Sequence, residues 1–109
     1  MACNYQHLYR GDEGYVVCCS ECACFQVAFA SLMISVFDYD FYAFCRFVEH
    51  KCQEDCGCFP PNVKSVVIQT PAEGICFLLT RRELLQFHGM LEKSKDELKA
   101  QQLMKLFNP

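Results

Sequence analysis

The residues of this chain whose type and spacing could do chemistry are its cysteines. Ten of the 109 residues are cysteine. Seven of them fall in two short runs, which are Cys18, Cys19, Cys22 and Cys24 and then Cys52, Cys56 and Cys58. Residues 1–10 lack the apolar segment of a secretory signal peptide, and without that signal clustered cysteines favour metal binding over a disulfide framework. The sequence therefore predicts a cytoplasmic metal-binding protein, with zinc as the expected ion.

The first run contains a Cys-x-x-Cys pair, Cys19 and Cys22. This spacing lets two thiolates from one tight turn bind a single tetrahedral zinc ion. The pair lies between two β-rich segments, which is typical of a zinc knuckle, whereas a thioredoxin-type site needs its first cysteine at a helix N-terminus. Two more ligands must come from elsewhere, and Cys3 and His7 are the first candidates. The predicted zinc ligands are therefore Cys19, Cys22, Cys3 and His7.

The second run, Cys52, Cys56 and Cys58, is a second candidate set of metal ligands. It could complete the first site or form a site of its own. The alternative hypothesis is a thiol redox or redox-sensing protein that uses Cys19 with Cys22, or Cys56 with Cys58. Neither pair lies at a predicted helix N-terminus, so nothing in the sequence lowers a thiol pKa, and the redox hypothesis ranks second.

The other polar residues do not indicate a catalytic site. His88 lies on the apolar face of a predicted helix and is interpreted as a partly buried histidine whose hydrogen bonds are satisfied. Glu49, Glu54 and Asp55 are interpreted as a solvated helix end, because no calcium-loop pattern accompanies them. We therefore expect a protein that binds a partner and does not catalyse a reaction.

Charge and hydropathy argue against a nucleic-acid partner and against a membrane span. The net charge is −3, and the basic residues are concentrated after Arg81. Nucleic-acid binding normally needs a basic face that displaces counterions, so we do not expect DNA or RNA as partners. No run of eighteen apolar residues is present, so we expect no membrane span.

An imperfect internal repeat organises the elements that must position these residues. When the sequence is shifted by 43 residues, the segment 34–49 parallels the segment 77–92. Each segment is typical of a strand that runs into a helix, and each follows another β-rich run, at 25–29 and 66–70. The sequence thus predicts two β-β-α units.

The repeat predicts an α+β fold. A β-β-α unit buries one face, so we expect two copies to join their strands in one antiparallel sheet with both helices on one face. Two β-rich runs near the N-terminus predict a hairpin that extends this sheet to five or six strands. Residues 1–109 are expected to form a single domain, with the hairpin, knuckle and first unit in 1–58 and the second unit with an extended C-terminal helix in 62–109.

The helix starts carry local signals. Thr80 and Glu83 form a capping box, in which each side chain accepts a hydrogen bond from the other residue's amide. Asp38 is the expected cap of the first helix, with Phe37 and Tyr42 as a hydrophobic staple.

The C-terminal segment predicts an oligomer or a protein partner. Strong helix formers continue to Phe107, which makes the last helix longer than short strands can cover. Its last apolar residues are Leu98, Leu103, Met104, Leu106 and Phe107. Exposed apolar residues on a helix are usually buried by a partner, and the simplest partner is a second copy of the chain that forms a homodimer through this helix. The alternative is that the end of the helix is frayed.

These motifs together resemble an uncharacterised family of small bacterial proteins, a domain of unknown function. The similarity lies in Cys3 with His7, Cys19 with Cys22 and the following strand at 25–29, the first helix near 41–44, and the strand–helix segment at 80–91. The resemblance covers most of the chain and implies a cytoplasmic bacterial protein, but no activity. The second cysteine run departs from the family pattern, which leaves the assignment of metal ligands open.

Overall fold

Alternating apolar and polar residues in the first third of the chain form strands with one buried face. The computed structural model describes residues 4–54 and 60–107. The first four elements are the strands β1 (Tyr5–Gly11), β2 (Gly14–Cys19), β3 (Cys24–Phe29) and β4 (Leu32–Phe37). These strands pair antiparallel in chain order and form one sheet.

A helix, a second hairpin and a longer helix follow. They are α1 (Asp38–Gln53), β5 (Lys64–Gln69), β6 (Cys76–Thr80) and α2 (Arg81–Phe107). Each helix begins at the residue after a strand ends, so no loop separates β4 from α1 or β6 from α2. The predicted α+β class with antiparallel strands and two helices is confirmed.

The strands do not join in one sheet as we expected. β5 and β6 form a separate two-stranded sheet. The physical reason lies in the apolar face of this hairpin, where Phe77 lies with its ring centroid 5.0 Å from Phe87 of α2 and 6.4 Å from Phe44 of α1. Packing against the helices already buries the apolar face of the hairpin, so the hairpin folds without pairing with the edge of the larger sheet.

The core lies between one face of the four-stranded sheet and the two helices. The Phe25 ring stacks on Phe41 of α1 with the ring centroids 4.3 Å apart. The Phe29 ring stacks on Phe87 of α2 with a centroid distance of 4.5 Å. Phe87 also meets Phe44 edge-on at 5.8 Å, so aromatic contacts join the sheet and both helices. Offset-stacked and edge-to-face rings add to the free energy gained from burial alone. This packing fixes the position of α1 against α2.

The start of α2 is built as predicted. The Glu83 amide donates to Thr80 Oγ1 at 3.0 Å, and the Thr80 amide donates to Glu83 Oε1 at 2.8 Å. Lys64 of β5 forms an ion pair with the same carboxylate, with its Nζ 2.6 Å from Glu83 Oε1. The capping box is confirmed, and it joins the helix to both strands of the hairpin.

The predicted cap of α1 is wrong. Phe37 is the N-cap residue and makes no side-chain capping bond, while Asp38 is the first residue of the helix. The Asp38 amide donates to the Ala23 carbonyl at 3.0 Å, which holds the helix start against the turn after β2. Phe37 stacks on Tyr39 at 5.8 Å, so the expected staple with Tyr42 is replaced by a surface aromatic pair.

The last turns of α2 extend past the core. Leu98 is the last buried residue of the helix, which continues to Phe107. The exposed fractions of the apolar side chains beyond it rise from 55% to 80%, at Leu103, Met104, Leu106 and Phe107. Charged residues interrupt α2 throughout, and among the described residues no helix is long and apolar enough to cross a membrane.

Candidate metal sites

The Cys-x-x-Cys pair lies at the end of the β2–β3 hairpin. Cys19 ends β2 and pairs in register with Cys24, the first residue of β3, while Cys22 lies in the turn between them. Ala23 has a φ of 51°, a left-handed conformation that tightens this turn. Cys19 is 2% exposed and Cys22 is exposed to solvent. The structure thus places the pair at a β-turn.

The other predicted ligands of this site belong to the start of β1. In the antiparallel register, Tyr5 pairs with Cys19 and His7 pairs with Val17, which puts His7 on the same sheet face as Cys19. Cys3 lies outside the described residues. The ligand atoms of His7, Cys19 and Cys22 do not form a group within 4.8 Å of one another in residues 4–54 and 60–107. The predicted four-ligand set therefore stays a prediction.

The second cysteine run is described only at its first member. Cys52 is half-buried near the end of α1, with its sulfur 4.0 Å from the Leu84 carbonyl of α2. Burial raises the pKa of Cys52, and the charge of Glu49 raises it further. Cys56 and Cys58 lie outside the described residues.

Burial makes two other thiols poor nucleophiles. Cys45 lies in the core face of α1, and burial raises its pKa to about 12. Burial also raises the pKa of Cys18, although the charge of Lys105 opposes the effect. Because the thiolate is the reactive form, these two cysteines are suited to packing and not to redox exchange.

A different group of ligands meets between the helices. Glu49 of α1 and His88 and Glu92 of α2 each have one ligand atom within 4.8 Å of the other two. All three are partly buried. His88 and Glu92 are four residues apart, so they share one face of α2. These types of atom, imidazole nitrogen and carboxylate oxygen, bind zinc, iron and manganese in proteins.

The structure corrects our interpretation of two of these residues. Glu49 is not part of a solvated helix end, because α1 packs this side against α2. The Nε2 atom of His88 is closed to solvent and has no hydrogen-bond partner among the described residues, so His88 is not a satisfied histidine. A signal for this group was present in the sequence, since the shift of 43 residues aligns Glu49 with Glu92.

One cation lies beside this inter-helix group. Lys95 Nζ forms an ion pair with Glu92 Oε2 at 3.0 Å. The hydrogen bond to Glu92 raises the pKa of Lys95, the charges of Glu92, Cys45 and Glu49 add to the effect, and burial opposes it. The lysine thus offsets part of the negative charge that the two glutamates bring to the space between the helices.

Comparison with known proteins gives a family and no activity. The chain matches a family of unknown function, DUF6686, over residues 1–107. No curated protein matches the chain, and no solved structure does. The expectation of an uncharacterised family is confirmed in this general form, while bacterial origin stays a prediction. The match extends over nearly the whole sequence, and the chain therefore belongs to this family of unknown function.

Proposed function

We propose that the protein is a zinc-stapled binding module, with zinc held at the end of the β2–β3 hairpin. The ligands are Cys19 and Cys22 together with Cys3 and His7. The observation that supports this proposal is the placement of the pair at a tight turn, with His7 on the same face of the neighbouring strand. Two thiolates from a turn with further cysteine and histidine ligands are typical of structural zinc.

The ion would stabilise an edge of the sheet. β1 is an edge strand that pairs with β2 alone in its sheet. Zinc shared between the start of β1 and the hairpin turn would tie this edge in place, and the free energy of zinc binding would then become free energy of folding. Four protein ligands leave no open position for a substrate, which is why we propose a structural ion and not a catalytic one.

The second candidate set fits this role less well. Cys52, the described member of the set with Cys56 and Cys58, directs its sulfur towards the Leu84 carbonyl of α2. A thiolate in that position would lose part of its hydration, which costs free energy. The partial negative charge of the carbonyl oxygen would also repel it. The hairpin pair is therefore our first assignment.

The partner that we propose is a second copy of the chain. The exposed apolar side chains at the end of α2 are Leu103, Met104, Leu106 and Phe107. They extend beyond the last buried residue of the helix, Leu98, so nothing among the described residues covers them. Two copies could bury these residues against each other. The net charge of −3 favours a protein partner over a nucleic acid.

Metal analysis of the full chain tests the zinc site. We expect bound zinc in protein purified without added metal. Substitution by cobalt should give an intense sulfur-to-cobalt charge-transfer band, because thiolates are ligands. The double variant C19S/C22S should lose this band. Cys76, which is exposed on β6, supplies the matched control, so that C76S should keep both the band and the zinc.

Two results would contradict the proposal. Zinc below about 0.1 equivalent, with the exposed Cys22 open to alkylation in the native state, would exclude a thiolate-bound structural ion. An undiminished charge-transfer band in C19S/C22S would mean that the metal is bound by the second cysteine run. A cysteine that titrates below about 7.5 in zinc-free protein would instead favour the thiol redox alternative.

A further inference from the structure

The space between α1 and α2 brings together three ligand atoms from distant parts of the sequence. The atoms of Glu49, His88 and Glu92 lie within 4.8 Å of one another. Ligand atoms that each lie about 2.1 Å from one metal ion are about 3.0–3.4 Å apart in octahedral or tetrahedral geometry. Side-chain rotations that move each of these atoms by about 1 Å would therefore bring them to a common ion.

The imidazole of His88 points independently to a ligand. Its Nε2 atom is closed to solvent and accepts or donates no hydrogen bond among the described residues. Buried polar atoms in folded proteins almost always have a partner, and one without a partner calls for an explanation such as an ion. One of the ring nitrogens lies within 4.8 Å of both carboxylates. A cation bound at Nε2 would give this atom the partner that it lacks and would also meet the carboxylates.

The charges around the group leave room for a cation. Lys95 forms an ion pair with Glu92, and its side chain is 24% exposed. No described residue forms an ion pair with Glu49. The titratable side chains Cys45 and Tyr42, which interact with Lys95, and Cys52, which interacts with Glu49, add no negative charge, because burial raises the pKa of all three. The group thus keeps an excess of negative charge, and the lysine can turn outward to solvent when an ion binds.

We infer that Glu49, His88 and Glu92 form a second metal site, for a divalent first-row transition metal, which links α1 to α2. Imidazole with two carboxylates suits manganese, iron or zinc, and it differs from the thiolate set of the hairpin. The site lies next to the helix contact made by Phe44 and Phe87. An ion there would cross-link the two helices, with water in the positions that the protein leaves open.

Manganese binding to the full chain tests this inference. Mn²⁺ prefers oxygen and nitrogen ligands over thiolates. In protein brought to one equivalent of zinc, which the thiolates hold in preference, Mn²⁺ therefore reports on the inter-helix site and not on the hairpin. We expect about one Mn²⁺ per chain in a titration followed by the electron paramagnetic resonance of the free ion. Affinity should fall at least about tenfold in E49Q and in H88Q, since each loses a ligand.

A surface pair on α1 supplies the matched control. His50 and Glu54 have the same four-residue spacing as His88 and Glu92, with Nε2 and Oε1 3.1 Å apart, but their side chains are 66% and 51% exposed. The variants H50Q and E54Q should bind Mn²⁺ as the unmodified chain does. Equal loss in H50Q and H88Q would overturn the inference, as would the absence of saturable binding.

A gain of affinity separates a metal ligand from a merely structural residue. The variant K95Q removes the cation that competes for Glu92, so its affinity for Mn²⁺ should rise severalfold. A variant that only disturbs folding would not bind the ion more tightly. An unchanged or weaker affinity in K95Q, together with unchanged affinity in E49Q, would show that the ion does not bind between the helices.

Discussion

The cap of α2 allows a prediction whose size follows from the structure. Thr80→Ala removes the hydroxyl that accepts the Glu83 amide at 3.0 Å, but it leaves intact the second bond of the capping box, from the Thr80 amide to Glu83. It also leaves the ion pair between Lys64 and Glu83. One amide at the helix start therefore loses its partner, and nothing else in the capping box changes.

The expected cost is about 1 kcal/mol in the free energy of unfolding, within the range of about 0.5–2 kcal/mol that alanine causes at an N-cap. For a chain of 109 residues, that loss lowers the midpoint of thermal unfolding by about 4 °C. Thr80→Ser keeps the hydroxyl and should cost less than half as much as alanine. The affinity for Mn²⁺ should not change in either variant, because the cap lies two turns ahead of His88.

Urea unfolding followed by circular dichroism measures this cost. In Thr80→Ala the midpoint should move to a lower urea concentration, while the slope of the unfolding free energy against urea concentration stays constant. A free energy of unfolding within about 0.3 kcal/mol of the unmodified chain would refute the reasoning, since it would mean that the bond contributes less than any N-cap of this kind. Equal losses in Thr80→Ala and Thr80→Ser would also refute it, because the hydroxyl would then not be the cause.

Three further predictions concern acid stability, thiol reactivity and assembly. Hydrogen bonding to Lys64 and Thr80 lowers the pKa of Glu83, so this carboxylate stabilises the fold above its unfolded pKa of about 4.5. That contribution should disappear as the pH falls through the lower folded pKa, and in Glu83→Gln urea titrations should show a smaller loss of stability over the same acid range. In alkylation followed by mass spectrometry, the exposed Cys76 should react in the native state, whereas the buried Cys45 should react only on unfolding. In light scattering at high micromolar concentration the chain should be a dimer, and Leu106→Asp with Phe107→Asp should make it a monomer, whereas a chain that is already monomeric would exclude the proposed contact.

Local patterns were sufficient for most of the secondary structure. The capping box at Thr80 and Glu83 formed because its hydrogen bonds depend on residues three apart in the sequence. The helix up to Phe107 formed because its residues favour helix throughout. The cap at Asp38 was predicted wrongly, since β4 runs to Phe37 and the helix begins at Asp38, whose Oδ1 accepts the Tyr39 amide at 2.7 Å from within the first turn.

Contacts between distant elements were beyond the reach of these patterns. An apolar face such as that of Phe77 can be buried by pairing at a sheet edge or by packing on a helix, and only the assembled core decides between them. The partial burial of Glu49 is missed for the same reason, because it depends on how α1 packs against α2. The cysteine spacing predicted a turn at Cys19 and Cys22, and the structure has it, but convergence of ligands depends on chain segments that spacing cannot align.

The direct passage from strand to helix has a kinetic consequence. Neither β4 and α1 nor β6 and α2 are separated by a loop residue. Hinges are a few loop or element-terminal residues that absorb large changes in φ and ψ. With no loop residue at either joint, such a change would fall on the terminal residues of the strand and the helix, so α1 can swing away from α2 only at the cost of hydrogen bonds at the end of an element. An ion held by Glu49, His88 and Glu92 would leave through side-chain rotation or local unfolding, and its off-rate would then set an upper limit on how often the helix pair opens.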